Sequence, residues 1–145
     1  MLMNKILLAV DGSENAKRAV DYVIKVAKKQ GDLNITLIHV INSRKEINKL
    51  RNTSSEIEEI KQRVISEGYK IINDHEEILK HTGLCVTTKL IDGDPAIKVV
   101  EFAKLGEYDH IVLGTRGLTD LQSIVLGSVS HKVLALSECP VTFVK

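Results

Sequence analysis

Short unbroken apolar runs alternate along this chain with longer stretches in which apolar residues return every three or four positions. Residues 5–10 form such a run, closed at once by Asp11, Gly12 and Ser13, the pattern of a strand covered on both faces and then a turn. Ser13 is placed to cap a helix whose stripe is Ala16, Ala19, Val20, Val23, Ile24 and Ala27, with Gly31 as its stop. A second buried strand is predicted over 34–41, followed by a polar connection over 42–52 that keeps neither period. Thr53 and Glu56 have capping-box spacing, and Ile57, Ile60, Val64, Ile71 and Ile78 behind them predict a long amphipathic helix ending near Gly83. His75 lies on that stripe and reads as a packing histidine. Residues 85–91 are rich in β-branched side chains, and the Asp92-Gly93 pair ends that strand. Asp94 and Pro95 then supply an N-cap and a first helical residue, with Ala96, Val99, Val100 and Ala103 as the buried stripe. A fourth strand is predicted over 109–113, a polar glycine-bearing segment over 114–127, a helix opened by Ser128 with Val129, Val133 and Leu136 on one side, and a fifth strand over 140–145.

Strands this apolar, alternating with helices, belong in a parallel sheet sandwiched between helical layers, so the pattern predicts one α/β domain over residues 1–145. Composition agrees: 43% of the 145 residues are hydrophobic, in the range of a single core. Twenty basic residues against nineteen acidic ones leave a formal charge of +1, and aromatics are 3% with no Trp. Neither the electrostatic footprint nor the stacking platforms of a nucleic-acid binder are present. No apolar run approaches the roughly 20 residues that span a bilayer, and the opening run is too short for a signal-peptide core. A cytoplasmic protein without membrane contact is expected. Cys85 and Cys139 form no CxxC or ligand grouping and read as small buried apolar residues.

Ligands of parallel α/β sheets gather beyond the carboxyl ends of the strands. The chemistry there lies in Gly114-Thr-Arg-Gly117, nine further residues, and Gly127-Ser128. Glycines let the main chain bend near a ligand, and the free amides of a helix start seat phosphate oxygens. The spacing is neither GxxxxGK[ST] nor a GxGxxG after the first strand. Arg116 reads as a solvated loop residue, and His39 and His131 approach this region without the partner carboxylate of a catalytic base.

The combination of these pieces resembles the ATP-binding branch of the universal stress protein family: the opening ILLAVDGS, the IHV ending strand two, Gly93-Asp94-Pro95-Ala96, IVLGTRG, LGSVS and CPV near the end. The resemblance implies a Rossmann-like fold of the adenine nucleotide α-hydrolase type, with five parallel strands in the order 3-2-1-4-5. It further implies a nucleotide over the switch between strands one and four. Ala9, Val10 and Asp11 would border the adenosine, and Val40 would hold adenine through its main chain. Gly114 and Thr115 would meet the ribose or α-phosphate, and Gly117, Gly127, Ser128 and Val129 the phosphates. ATP, or AMP or ADP, is the implied ligand, with Mg²⁺ or Mn²⁺ on the phosphates and no protein ligand evident for it. The function expected is a nucleotide-dependent regulatory module of the stress response, with no catalytic residue and an unnamed protein partner. The alternative is a slow or partner-activated ATPase, although no Walker B carboxylate or arginine finger is recognisable. An apolar edge strand over 140–145 would be an aggregation liability unless covered, so a homodimer joined through it is expected.

Overall fold

The computed structural model describes residues 3–49, 54–115 and 126–145. In chain order the elements are β1 (Lys5–Ala9), α1 (Glu14–Gln30), β2 (Asn34–Ile41), α2 (Ser43–Asn48), α3 (Ser54–His81), β3 (Val86–Asp92), α4 (Pro95–Leu105), β4 (His110–Gly114), α5 (Ser128–Leu136) and β5 (Val141–Val144). The strands form one parallel sheet in the order β3-β2-β1-β4-β5. This is the α/β architecture and strand order anticipated above.

The period-two alternation of the central strands divides the core into two layers. Ile6 and Leu8 of β1, Ile35 and Leu37 of β2 and Val112 of β4 meet Ala19, Val20 and Val23 of α1 and Ile72 and Leu79 of α3. Their neighbours Leu7, Ile38, Val40, Ile111 and Leu113 face the other way, against Ala96, Val99 and Ala103 of α4 and Val133 of α5. Local signals set most boundaries. Ser13 Oγ accepts from Ala16 N at 3.1 Å, Asp94 Oδ1 accepts from Ile97 N at 3.1 Å, and Gly31 ends α1 with φ at 70°. Thr53 of the expected capping box lies outside the described residues.

Four local readings need correction. The polar connection after β2 contains the short helix α2, because Asn42 caps Lys45 N at 3.0 Å and Ser43 is tied to Asp92 at the end of β3 through its amide (3.0 Å) and hydroxyl. Cys85 is exposed, since it precedes an edge strand, while Cys139 is half-buried. The N-cap of α5 is Gly127, so Ser128 is its first helical residue. On α5 only Val133 of the expected apolar trio is buried: Val129 and Leu136 are 37% and 46% exposed, and the second buried position belongs to Ser130. Among the described residues no helix is long and apolar enough to cross a membrane.

Candidate functional site

Beyond the carboxyl ends of the central strands, β1 leads into α1 on one face of the sheet whereas α5, which follows β4, lies on the other. That divergence opens a crevice. It holds two adjoining clefts of about 250 and 530 Å³ that share Asp11, His39, Val40, Lys45, Pro95, Ser128 and Val129. The inner cleft adds Ala9, Val10, Gly114 and Ser130, and the outer one reaches Arg63, Glu67 and Gly68 on α3 and Lys132 on α5.

The β1–α1 turn forms the floor, and four hydrogen bonds hold it. Val10 N donates to Ile38 O at 2.9 Å, and Asp11 Oδ1 accepts from Ser13 N at 2.8 Å. His39 Nδ1 meets Val10 O at 2.7 Å, and His75 Nε2 meets Asp11 O at 3.0 Å. Burial holds the His39 imidazole below the ordinary 6.5, against the opposing pull of the Val10 carbonyl and the Asp11 carboxylate; the neighbouring His75 lowers it further.

The opposite wall is built where β4 ends. A Cβ on Gly114 would stand 2.7 Å from Asn15 Cβ and 2.9 Å from the Asn15 carbonyl carbon, so the absent side chain lets α1 pack against β4. The Gly114 carbonyl accepts from Ser130 Oγ at 2.7 Å, which pins the first turn of α5 to the strand. Thr115 is buried: its amide donates to Val144 O at 2.9 Å, its hydroxyl lies 3.4 Å from Asn15 Nδ2, and its carbonyl accepts from Gly127 N at 2.6 Å. Thr115 and Gly127 are therefore joined to each other and line neither cleft. Gly117 and Arg116 lie outside the described residues.

The start of α5 is the distinctive donor group. Ser13, Asn42 and Asp94 cap α1, α2 and α4 with their own side chains, but Gly127 has none to offer and α5 carries no side-chain cap. The first amides of a helix have no intrahelical acceptor, and those of Ser128, Val129 and Ser130 meet no acceptor among the described residues at this positive end of the dipole. Lys132, one turn on, pairs with Asp94 at 3.1 Å, and Lys45 of α2 adds a second cation at the mouth. Donation from the Ile97 amide, aided by Lys132, holds the Asp94 carboxyl below the usual carboxylate range.

Of the residues singled out in the sequence, Ala9, Val10, Asp11, Val40, Gly114, Ser128 and Val129 meet around this crevice. His131 is exposed on α5 and lines neither cleft. Sequence reasoning missed Lys45, Lys132, Ser130 and the anchoring role of His75. Lys132 carried a signal, standing one helical turn beyond Ser128. Lys45 lay in the stretch without a period and carried none. Among the described residues no cluster of three or more His, Cys, Asp or Glu stands ready to hold a metal.

A family model described as the universal stress protein family matches residues 3–145. The universal stress protein YxiE of Bacillus subtilis is 34% identical, with 99% of this chain and 100% of that protein covered. The solved structure of MJ0577, a universal stress protein of Methanocaldococcus jannaschii, is similar with a TM-score of 0.88 at 29% identity, covering 100% of this chain and 97% of that one. A universal stress protein family member from Arabidopsis thaliana, solved with AMP bound, has a TM-score of 0.71 at 22% identity and covers 98% and 91%.

Proposed function

Since the chain belongs to the universal stress protein family, we propose that it binds an adenine nucleotide in the crevice between β1 and β4 and serves as a nucleotide-dependent regulatory module. The observation that carries this reading is the start of α5, which has no side-chain cap among the described residues and whose Ser128 and Val129 line a cleft together with Lys45 and Lys132. Phosphate is the anion for which such a helix start is suited. The Arabidopsis relative, with its bound AMP, supports adenosine as the remainder of the ligand.

In this reading the phosphates lie at Ser128 and Val129, with Gly114 beside the ribose. Ala9, Val10 and Asp11 border the adenosine, and the main chain of Val40 meets the base. Thr115 and Gly127 support the seat from behind, and Gly117 lies outside the described residues. Mg²⁺ or Mn²⁺ would be held by phosphate oxygens and water, as hard cations usually are on polyphosphates. β5 pairs with β4 on one side only and its side chains are half-buried, so a second copy joined at that edge would cover it and make the homodimer.

The test removes one amide without disturbing the helix. Proline is tolerated at the first helical position, and Gly127 already has the extended backbone, φ −70° and ψ 171°, that a following proline requires. Ser128→Pro should leave the thermal melt unchanged and weaken AMP and ATP binding by at least about tenfold, the worth of one charge-assisted hydrogen bond. Wild-type protein that carries no co-purifying nucleotide by mass spectrometry and binds none by calorimetry would refute the function.

A further inference from the structure

Two imidazoles hold the β1–α1 turn, His39 from the wall of the clefts and His75 from outside them. Val10 and Asp11 present successive carbonyls, the first taken by His39 Nδ1 of β2 at 2.7 Å and the second by His75 Nε2 of α3 at 3.0 Å. Both rings are buried, 9% and 5% exposed. A carbonyl oxygen can only accept, so the proton is on Nδ1 in His39 and on Nε2 in His75. The other ring nitrogen of His75 is buried without a hydrogen-bond partner among the described residues. An unsatisfied buried polar atom opposes folding, and a leucine would suit this face, which buries Ile72 and Leu79. Packing alone therefore does not account for His75; the bond to Asp11 does.

The chain brings the two rings together through a close helix–sheet contact. Gly68 lies two turns before His75 on α3, and a Cβ there would stand 2.7 Å from Ile41 Cγ2, 2.9 Å from Leu90 Cδ1 and 3.6 Å from His39 Cδ2. This bare patch lets α3 settle onto β2 and β3, within reach of the turn beyond β1.

We propose, on the strength of the nucleotide reading above, that His39 and His75 are positioning residues for the ligand: together they clamp consecutive carbonyls of the Asp11 turn so that it keeps one orientation at the floor of the cleft. Without a donor behind it, either carbonyl would seek water by rotating its peptide, and the turn would leave the orientation that borders the ligand. The apparent dissociation constant then rises by the inverse of the fraction still correctly placed.

The experiment rests on a match of atoms. Asparagine Nδ2 occupies the place of histidine Nδ1, and glutamine Nε2 that of Nε2, so His39→Asn and His75→Gln keep the donor without the ring. His39→Leu and His75→Leu keep bulk without the donor. AMP and ATP binding is measured by calorimetry for all four, alongside thermal melts. The expected result is wild-type affinity for the Asn and Gln variants and about tenfold weaker binding for the folded Leu variants. Leu variants that bind as tightly as wild type, or Asn and Gln variants as weak as Leu at unchanged melting temperature, overturn the positioning role alone. Wild-type protein that binds neither nucleotide overturns the site and the clamp with it. Should the Leu variants not fold, imidazole ¹⁵N shifts of the wild type decide: protonated Nδ1 in His39 and protonated Nε2 in His75 support the clamp, and the opposite tautomer in either ring overturns it.

Discussion

Gly114→Ala separates two reasons for a glycine at the end of β4: room for a ligand, or room for α1. The added Cβ would lie 2.7, 2.9 and 3.1 Å from Cβ, C and O of Asn15. Carbon atoms rest about 3.5–4.0 Å apart, and two of the three neighbours are main-chain atoms of a helix, so α1 would have to recede by at least roughly 0.8 Å. Overpacking of this kind costs about 1–3 kcal/mol. Gly114 is not at positive φ, so alanine also removes unfolded-state freedom, which returns about 0.4–1 kcal/mol. At mid-range values the clash, about 2 kcal/mol, outweighs the gain of about 0.7 kcal/mol and leaves a net loss of roughly 1.3 kcal/mol. For a chain of this size each kcal/mol lowers the melting temperature by about 2–4 °C, so a drop of roughly 3–5 °C is expected in calorimetry without nucleotide. An unchanged or raised melting temperature, with affinity for AMP lost, would refute the packing argument and return the glycine to the ligand.

The other expectations concern the walls of the crevice and two histidines of the sheet. Val133→Ala should cost about 2 kcal/mol by removing fully buried carbons, against less than about 0.5 kcal/mol for the half-exposed Leu136→Ala; equal losses in urea denaturation would contradict the described face of α5. Ser130→Ala leaves the Gly114 carbonyl without its 2.7 Å donor and should cost about 1–2 kcal/mol in the same assay, an effect disproved by a wild-type midpoint. Burial lowers both His39 and His110 from the ordinary 6.5. The unfolded chain therefore binds more protons as pH falls below 6.5, and the stability present above that pH is lost beneath it. The urea midpoint should fall between pH 7.5 and 5.5 and fall less in His39→Asn; a wild-type midpoint flat over that range would be incompatible with the lowering at the buried His39 and the half-buried His110.

Much of the architecture was legible because it is written in local periods. The apolar run before Asp11, the stripe from Ala16 to Ala27 and the Asp94-Pro95 start each specify an element through residues a few positions apart, and the structure places those elements there. The strand order came from the family resemblance rather than from any period, since nothing local says which strand lies beside β1. The short helix α2 escaped notice for a related reason: part of its support is Asp92, 49 positions from Ser43.

What the sequence alone determined was the succession of strands and helices apart from α2, and part of the set of residues that meet where the strands end. Only tertiary packing decided how the polar groups of the site are distributed. His39 and His75 reach Val10 and Asp11 over separations of 29 and 64 residues, Gly114 is bare to admit a residue of α1, and the amide of Gly127 is already taken by Thr115 while those beyond it meet no acceptor among the described residues. Periodicity and capping arise from neighbours along the chain, but the satisfaction of a buried donor or acceptor depends on whichever segment the fold brings beside it.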